Sequence, residues 1–377
     1  MKDKPRILIF STSFLPFIGG DIVAVKEISD RLYQDFDFVV ITARIDKNLS
    51  KQEKIGHILI HRIGFGKNFD KYLLAFFGSF MANRLYKPNQ VAMVWSLMAS
   101  FAGLATESYK KYHPSVPYLL TVQEGDDPEY IAKKMRLLKW RFNNIFRRAD
   151  KIQAISNYLA DWAKSFKPRA GVAVIPNGID IQKFSYKPKS INYGGENTII
   201  SASRLVVKNG LGDLIKALLD IKSQVRLKII GVGDMEAELR ALARELGVSK
   251  QVEFLGKINN DRVPEFLHQA QIFCRPSLSE GLGNAFLEAM SAGLPTIGTR
   301  VGGIVDFLED KKTGFVCEPK NPESIASAVG FILDETNREK VEEIRRNARA
   351  LTEEKYNWDT IAIQFKNLFT ELINGKQ

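Results

Sequence analysis

The feature that most constrains this chain is an alternation of short apolar runs with amphipathic helical patterns, which occurs twice along the sequence. The apolar runs are continuous in Val, Ile and Leu, as is typical of parallel strands covered on both faces. The first series comprises PRILIFSTS, FDFVVITAR, VAMVWSL, PYLLTV, KIQAIS and VAVIP. The second comprises NTIISASR, VRLKIIGVG, QVEFLG, QIFCRPS, LPTIGTR and TGFVCEP. The pattern predicts two doubly wound α/β domains with parallel sheets.

The boundary between the two series falls in FSYKPKSINYGGEN, residues 184–197, which contains a proline and two glycines and has no apolar period. We therefore expect a first domain over residues 1–184 and a second from residue 185. In open α/β sheets, ligands bind outside the carboxyl ends of the strands. If both sheets direct those ends toward each other, the active site is the cleft between the domains. Site residues are then expected in the loops that follow the strands.

The composition is that of a soluble globular protein, with 45% hydrophobic and 26% charged residues. No apolar run approaches the length of a membrane span. The N-terminal MKDKPRILIF enters a strand directly and lacks the longer apolar region and cleavage site of a signal peptide. Cys274 and Cys317 lie in separate apolar runs, and two such cysteines make no disulfide framework. These features predict a cytoplasmic protein.

The net charge of +11 is confined to the first half of the chain. Residues 1–186 contain 28 Lys and Arg against 17 Asp and Glu, whereas the remainder contains 26 of each. Such an asymmetry indicates either an anionic partner, such as a membrane or a polyanion, or a surface that is merely solubilising. A nucleic-acid partner is disfavoured, because no recognised nucleic-acid module is present.

Several loops that follow predicted strands contain residues suited to a phosphorylated ligand. Glycines after the first strand let a phosphate approach the backbone at a helix N-terminus, although such a pair is also common in plain turns. Two cations leave the strand IISAS together and suit a diphosphate, although solvated charges would look the same. GVGD is a weak glycine signal, and the loop KINN offers backbone groups to a base. The residues concerned are Gly19, Gly20, Arg204, Lys208, Gly233 and Ile258.

The stretch SEGLGNAFLEAM, residues 279–290, places Glu280 before a glycine-rich helix start and Glu288 within the helix. A helix N-terminus attracts anions, whereas two carboxylates repel them. The conflict disappears if the carboxylates, which only accept hydrogen bonds, bind hydroxyl groups of the same ligand. A nucleotide sugar has this order: a ribose diol for Glu288, a diphosphate, and a sugar for Glu280. The backbone groups expected at the phosphates belong to Gly281, Leu282, Gly283, Asn284 and Ala285.

With these motifs in place, the sequence resembles the retaining glycosyltransferases of family 4, which have the GT-B fold. Besides the two glutamates in PSLSEGLGNAFLEAMSAGLPTIGTRVGG, the resemblance includes ADKIQAIS, VIPNGIDIQKF, SRLVVKNG, GVGDMEAEL and QVEFLGKIN. KYNWDTIAIQFKNLF is similar to a C-terminal helix that returns to the first domain, which implies that residues 357–377 join the first domain and that the second ends at 356. The resemblance implies retaining transfer from a UDP- or GDP-sugar without a metal or other cofactor.

The sequence departs from the family pattern at two places. The lysine that often precedes the glycine of SRLVVKNG is Asn209 here, and Lys208 stands one position earlier. The strand LLTV usually runs into a histidine, but the four histidines of this chain all lie elsewhere. Chemistry on the acceptor side is therefore assigned to Gln123, Glu124 or Asp126, or to the leaving phosphate acting as the base. The whole segment after the strand is Gln123, Glu124, Gly125, Asp126 and Asp127.

Three other functions compete with a transferase. A sugar-nucleotide epimerase of the same fold is disfavoured by the order of the motifs. A catalytically inactive sugar- or membrane-binding relative is suggested by the missing histidine, and a nucleic-acid binder only by the basic half. The acceptor itself follows no shared motif, so a lipid-linked, glycan or small-molecule acceptor all stay open.

Residues 133–151, KKMRLLKWRFNNIFRRADK, interleave cations with apolar residues and are typical of a basic amphipathic helix at an anionic bilayer. KYLLAFFGSFMANRLYK, upstream, is a second apolar stretch with basic ends. For most of the apolar residues we favour packing against the sheet. The charge asymmetry nevertheless predicts salt-sensitive peripheral association with the inner face of the membrane. The cations of the basic segment are Lys133, Lys134, Arg136, Lys139, Arg141, Arg147, Arg148 and Lys151, and its apolar residues are Met135, Leu137, Leu138, Trp140, Phe142, Ile145 and Phe146.

Overall fold

The computed structural model of the protein describes residues 4–17, 19–126, 130–131, 133 and 138–375. The chain divides into two units, one of Met1–Asn177 with Trp358–Gln377 and one of Gly178–Asn357. The division falls before the predicted residue 184, because the segment after Asn177 is bonded to the second unit. The Ile179 N–H donates to the Tyr356 carbonyl at 2.5 Å, and the Ser291 hydroxyl donates to the Phe184 carbonyl at 2.9 Å. We refer to the units as the first and second domains.

The first domain contains an eight-stranded sheet. Its strands are β1 (Arg6–Ser11), β2 (Asp37–Ala43), β3 (Gln52–Ile55), β4 (Ile58–Ile63), β5 (Met93–Leu97), β6 (Tyr118–Val122), β7 (Lys151–Ala154) and β8 (Val172–Val174). Their order is β3-β4-β2-β1-β5-β6-β7-β8, and every pair is parallel except β3 and β4. The strand order reverses between β1 and β5, which is where ligands bind in doubly wound sheets.

The described helices of the first domain are α1 (Gly20–Leu32), α2 (Asp70–Leu85), α3 (Phe101–Tyr112), α4 (Lys139–Arg147) and α5 (Asn157–Ser165), with a short 3₁₀ helix at Pro88–Gln90. The C-terminal helix, which we number α12 (Trp358–Asn374), also packs in this domain. Its apolar residues recur at helical spacing, so one face enters the core formed by α1, β1, β2 and β5. Phe369, for example, lies 5.6 Å from Phe36 and 5.3 Å from Trp95 between ring centroids.

The second domain contains a six-stranded sheet in which every pair is parallel. Its strands are β9 (Asn197–Ala202), β10 (Val225–Ile230), β11 (Val252–Gly256), β12 (Ile272–Arg275), β13 (Thr296–Thr299) and β14 (Phe315–Cys317). Their order, β11-β10-β9-β12-β13-β14, is the 3-2-1-4-5-6 arrangement of dinucleotide-binding folds. The switch point lies between β9 and β12, so the loops after these two strands mark the expected ligand position.

The helices of the second domain are α6 (Leu211–Ala217), α7 (Glu236–Glu245), α8 (Val263–Leu267), α9 (Asn284–Ala292), α10 (Pro322–Leu333) and α11 (Arg338–Lys355). Short 3₁₀ helices occur at Val207–Asn209, Asn260–Arg262, Gly302–Asp306 and Glu335–Asn337. The predicted pair of doubly wound α/β domains is confirmed. Two strands, β3 and β4, are absent from the predicted series. The edge strand β3 alternates exposed and half-buried residues and carries no apolar run.

The described part of the basic segment 133–151 packs against its own domain. Phe142, Ile145 and Phe146 of α4 are buried, as favoured from the sequence. Arg141 and Arg148 form ion pairs of 3.0 and 2.9 Å with the buried carboxylate of Glu107. The three buried apolar side chains are therefore not available to a bilayer, whereas Trp140 of the same helix is exposed. Lys134, Met135, Arg136 and Leu137 lie outside the described residues. No helix within the described ranges is both long and apolar enough to cross a membrane.

Candidate functional site

Glu280 lies in the loop after β12, where a buried arginine fixes its carboxylate. The Arg275 guanidinium donates through Nη2 to Glu280 Oε2 at 2.6 Å and through Nε to Ser277 Oγ at 3.1 Å. Only 7% of the Arg275 side chain and 17% of the Glu280 side chain are exposed. Because a buried pair with additional hydrogen bonds has little freedom, the loop presents the carboxylate in one orientation. Arg275 was not among the predicted site residues, although it lies in the apolar run QIFCRPS and is the last residue of β12.

Helix α9 begins directly after this loop, at Asn284, within the glycine-rich stretch where the sequence predicts a helix start. Gly283 precedes it at φ 97°, a left-handed conformation that favours glycine, and a Cβ at this position would lie 2.8 Å from the Phe286 ring. The first N–H groups of a helix lack intrahelical acceptors, so they are available to an anion. Gly281 and Leu282 are buried in the turn, and Asn284 and Ala285 are half-buried at the helix start.

Glu288 follows in the second turn of α9 and is half-buried. Burial raises the pKa of Glu288 to about 7, while the charges of Lys183 and Arg275 act in the opposite direction. Burial lowers the pKa of Arg275, and the charges of Glu280 and Glu288 oppose that shift. The Arg275 guanidinium therefore interacts with both glutamates, which are separated by seven residues and which we call the E-x7-E pair. It donates a hydrogen bond to Glu280, and its charge acts on Glu288.

The loop after β9 is joined to the loop after β12 by close backbone contacts at the switch point. The Leu278 N–H donates to the Lys208 carbonyl at 2.6 Å. Gly210 has φ 68°, and a Cβ there would lie only 1.9 Å from the Pro276 carbonyl oxygen. The two predicted cations, Arg204 and Lys208, therefore lie on a loop that is hydrogen-bonded to the loop of Glu280. Arg204 is exposed and Lys208 is half-buried.

Asn209 stands where the family pattern has a lysine, and its role here is to shape the loop. It is buried, and its Nδ2 donates to the Arg204 carbonyl at 2.6 Å. A neutral amide can make this buried contact without placing a charge in the interior. A lysine at the same position would have to extend its ammonium group outward to solvent. The cation of this loop is Lys208, one position before the place where the family pattern has its lysine.

Gly233 packs against the same loop, while Ile258 lies farther along the sheet. A Cβ on Gly233 would come within 2.3 Å of the Leu205 carbonyl oxygen, and the Leu205 N–H donates to the Val232 carbonyl at 3.0 Å. The packing against Leu205 therefore requires glycine at position 233 whether or not a ligand binds there. Ile258 is half-buried in the loop after β11, the edge strand, two strands away from β9.

A further glycine, absent from the sequence predictions, supports the Glu280 loop. Gly302 has φ 53°, and a Cβ there would lie 1.8 Å from the Glu280 carbonyl oxygen. The Gly303 N–H donates to the same oxygen at 3.0 Å. The double glycine in GTRVGG is the sequence signal for this contact, because only a residue without a side chain can approach the Glu280 backbone so closely.

In the first domain, Glu124 lies in the segment after β6, where the sequence has QEGDD and the family strand usually runs into a histidine. It is 8% exposed, and its Oε1 accepts a hydrogen bond of 2.6 Å from the Ala99 N–H. Its Oε2 is buried without a hydrogen-bond partner among the described residues. Burial raises the pKa of Glu124 to about 7; backbone N–H groups lower it and the charge of Asp21 raises it further. The group is therefore suited to exchange a proton near neutral pH.

The loop after β1 lies beside the loop after β5, since Thr12 and Ser100 share a hydrogen bond of 3.0 Å between their hydroxyls. Gly19 is the extended residue before α1, and Gly20 is its first residue and is exposed. Asp21, which the sequence analysis did not consider, occupies the first turn, and burial raises its pKa while its hydrogen bonds to backbone N–H groups lower it. The helix start therefore already carries an acid whose charge acts on Glu124.

The remaining acceptor-side candidates adjoin Glu124 in sequence. Gln123 is half-buried, and its side-chain oxygen has no hydrogen-bond partner among the described residues. Asp126 is exposed, and Asp127 lies outside the described residues. Of the three candidate side chains, Glu124 combines burial with a fixed orientation.

Two family models match consecutive parts of this chain. Residues 18–183 match Glycosyltransferase Family 4, and residues 182–351 match Glycosyl transferases group 1. The chain belongs to the family 4 glycosyltransferases. The chain is 31% identical over 231 residues to a GDP-mannose-dependent alpha-(1-6)-phosphatidylinositol monomannoside mannosyltransferase of Mycobacterium tuberculosis, and the match covers 56% of this chain and 60% of that protein.

Solved structures share the fold of this chain over almost its full length. Sucrose-phosphate synthase from Thermosynechococcus elongatus superposes with a TM-score of 0.82 at 19% identity, covering 99% of this chain and 100% of that one. Anabaena HepE in complex with UDP and glucose gives a TM-score of 0.79 at 20% identity, covering 98% and 100%. The predicted GT-B fold class is confirmed. The chain spans only 54% to 60% of the length of curated relatives that it matches at 30% identity or above.

Proposed function

We propose that the protein transfers a sugar, with retention of configuration, from a UDP- or GDP-sugar to a hydroxyl of an acceptor. The observation that carries this proposal is the pair Glu280 and Glu288 around the start of α9, both subject to the charge of Arg275 and located at the switch point of the second sheet. Helix start and carboxylates together match the alternating phosphates and hydroxyls of a nucleotide sugar.

In the donor complex that we propose, each group of the nucleotide sugar has a separate partner. Glu288 accepts hydrogen bonds from the ribose diol, and Glu280 from hydroxyls of the transferred sugar. The N–H groups at the start of α9 bind the diphosphate together with Arg204 and Lys208. Support for a UDP-sugar comes from HepE, which has the same fold and was solved with UDP and glucose.

In the reaction that we propose, the bond between the anomeric carbon and the diphosphate oxygen breaks while the acceptor oxygen bonds to that carbon. The acceptor proton passes to Glu124 or to the leaving phosphate. Glu124 suits this role because a pKa of about 7 lets it accept a proton near neutral pH. We also propose that no metal is needed, since Arg204 and Lys208 offset the charge that develops on the leaving diphosphate. Retention rests on the resemblance to retaining relatives.

For the acceptor we propose a lipid-linked or cell-envelope glycan, used at the inner face of the membrane. The relative from Mycobacterium tuberculosis is named for a phosphatidylinositol monomannoside acceptor. The excess of cations in the first half of the chain supports reversible association with anionic lipid, and we propose that the enzyme is cytoplasmic.

One observation favours a second candidate function, a catalytically inactive relative that binds sugars or membranes. The sequence after β6 has Gln123 and Glu124 where family members usually have a histidine. If neither residue replaces the histidine in function, the second domain would bind a nucleotide sugar without transferring it.

A panel of UDP- and GDP-sugars, incubated with the protein in the presence and absence of EDTA, tests the proposal. We expect release of UDP or GDP from one of these donors, unaffected by EDTA, with the product anomer matching the donor by NMR. Saturable nucleotide binding without any release would support the inactive relative instead. Absence of both binding and release across the panel would contradict both functions.

A further inference from the structure

Helix α2 (Asp70–Leu85) is built with its large side chains outward. Its buried face consists mainly of small residues, which let it approach the neighbouring elements closely: a Cβ on Gly78 would lie 3.0 Å from the Ala105 Cβ and 3.6 Å from the Phe10 ring. The buried residues are Asp70, Leu74, Ala75, Gly78, Ser79 and Ala82. Burial of large apolar side chains drives folding, yet this helix buries alanine and glycine and exposes phenylalanine. The exposed phenylalanines therefore indicate a binding surface for a partner outside the domain.

All phenylalanines lie within the described part of the chain, and the exposed ones are gathered here. The chain has 24 phenylalanines, and the five that are exposed lie within residues 65–80, with 53% to 74% of their surface accessible. Positions 69, 72, 76 and 80 follow helical spacing, so they form one stripe along α2. We call this surface the aromatic face; its members are Phe65, Phe69, Tyr72, Phe76, Phe77 and Phe80.

The charged side chains on and next to α2 that are not buried are all cations. The sequence has no acidic residue between Asp70 and Glu107, and Asp70 itself is buried, accepting hydrogen bonds from the Gly66 and Lys67 N–H groups at 2.6 and 3.1 Å. Four cations flank the stripe and have the length to extend beyond it. They are Lys67 and Lys71 at one end of the helix and Arg84 and Lys87 at the other.

Neighbouring helices add further exposed aromatic side chains and lysines to this surface. α2 packs against α3, and α3 packs against α4. The Tyr72 ring contacts Phe101 of α3 edge-on at 5.0 Å, with the Lys71 ammonium 5.6 Å from the same Phe101 ring. Trp140 of α4 is 68% exposed. Trp and Tyr with adjacent lysines are the side chains that favour the boundary between lipid headgroups and acyl chains.

We propose that the aromatic face is the surface by which the protein inserts into an anionic lipid bilayer. The 16 residues of α2 extend about 24 Å, so the helix lies in the plane of the interface and does not span it. Its phenylalanines enter the acyl boundary while Lys67, Lys71, Arg84 and Lys87 contact anionic headgroups. This inference rests on the peripheral association proposed above and moves its surface from the basic segment 133–151 to α2.

A second copy of the chain is a poorer occupant of the same surface. A two-fold interface would place the aromatic face against itself, and it would bring the four flanking cations of each copy together with no exposed carboxylate of α2 to offset them. An anionic bilayer satisfies the apolar stripe and the cations together. Charge complementarity therefore favours an anionic bilayer over a second copy of the chain as the partner of the aromatic face.

The test is co-sedimentation with vesicles of phosphatidylglycerol and phosphatidylcholine, compared with phosphatidylcholine alone, at low and high salt. The variant is Phe76→Ser with Phe80→Ser, and the matched control is Ile363→Ser, which removes an exposed apolar side chain from α12. We expect wild type and control to bind the anionic vesicles at low salt and the double variant to bind at least about tenfold more weakly. A second variant, Lys71→Gln with Arg84→Gln, should bind more weakly and lose most of the salt dependence.

Wild-type affinity in the phenylalanine double variant, with a native circular dichroism melt, would overturn the assignment of this surface alone. Failure of wild type to bind anionic vesicles would overturn membrane association as a whole. Self-association of wild type in the absence of vesicles, abolished in the double variant, would identify a second copy as the occupant and also overturn the proposal. Release of UDP or GDP from donors in solution does not depend on any of these results, so it tests the transferase function separately.

Discussion

Arg275 and Glu280 form a buried ion pair at the carboxyl end of β12, with 2.6 Å between Arg275 Nη2 and Glu280 Oε2. The arginine also donates to the Ser277 hydroxyl and, at 3.3 Å, to the Ala202 carbonyl at the end of β9. One side chain thus connects the two strands at the switch point and orients the carboxylate assigned to the donor sugar.

Replacing Arg275 alone should be more harmful to stability than replacing the pair. In Arg275→Met the Glu280 carboxylate loses its buried partner, a change that costs about 3–5 kcal/mol in comparable pairs. The double variant Arg275→Met with Glu280→Gln removes the uncompensated charge and should recover part of that loss. Chemical denaturation of wild type, both single variants and the double variant measures this coupling. Strictly additive losses would show that the pair contributes nothing beyond its separate members.

Glu280→Gln should mainly slow transfer while leaving nucleotide affinity nearly unchanged. The amide keeps the size of the side chain but lacks the negative charge that we assign to the hydroxyls of the transferred sugar. Loss of a hydrogen bond to a charged group costs about 1.5–3 kcal/mol, so kcat should fall roughly tenfold to a hundredfold. Steady-state assays with the active donor, together with UDP or GDP titrations, separate the two effects. A fully active variant would remove Glu280 from the site.

Glu124 should make the first domain less stable as the pH rises from 5 to 8. Burial raises the pKa of Glu124 from 4.5 to about 7, so the folded state binds more protons than the unfolded state between these values. Stability from this group is present below the unfolded pKa and is lost as the pH rises through the folded pKa, by on the order of 3 kcal/mol. Glu124→Gln carries no ionisable group there and should escape this loss.

Calorimetric melts of wild type, Glu124→Gln and the exposed control Glu354→Gln at pH 5 and pH 8 test this expectation. The melting temperature of Glu124→Gln relative to wild type should be higher at pH 8 than at pH 5, whereas the control should show no such change. Glu288 titrates in the same range but is present in all three proteins, so its contribution cancels. An equal difference at both pH values would show that Glu124 is not buried as a neutral acid near pH 5.

Much of the fold follows from the sequence because buried parallel strands carry continuous apolar runs, and the turns that follow them carry glycines. The start of α9 was predictable for this reason, since Gly283 has a backbone conformation that favours glycine. By contrast, β3 has no apolar run, and the first residues after Asn177 bond to the second domain without any change in composition. The E-x7-E spacing identified Glu280 and Glu288, but not the residue that links them.

Arg275, Asp21 and Gly302 were missed because their roles arise from tertiary contacts. The sequence shows Arg275 only as the polar end of a strand, and the distance of 2.6 Å to Glu280 depends on the turn between them. Gly302 lies 22 positions after Glu280 in the sequence, so their backbone contact requires the β12–β13 pairing. Likewise, the phenylalanines of α2 fit a buried helix in the sequence, and only the packing of its small residues shows that they face outward.

Gly20→Val should prevent donor binding while leaving the fold intact. Gly20 is exposed at the first position of α1, directly in the loop after β1, where a branched side chain would block a phosphate from the backbone. The matched control is Gly330→Val, an exposed helical position with no atom within 4 Å of the added Cβ. UDP and GDP titrations should show little binding for Gly20→Val and normal binding for the control. Normal binding by both variants would make Gly20 a turn glycine only.

The most direct test of the donor site is the affinity of the protein for UDP and GDP in wild type, Glu288→Gln and the exposed control Glu354→Gln, measured by calorimetry at pH 8. At this pH a carboxyl with a pKa of about 7 is mostly ionised and can accept both hydroxyls of the ribose. We predict that Glu288→Gln raises the Kd of the preferred nucleotide about tenfold to a hundredfold, corresponding to about 1.5–3 kcal/mol, and that the control matches wild type. An unchanged Kd in Glu288→Gln, or no nucleotide binding by wild type, would contradict the assignment of the second domain as the nucleotide-sugar site.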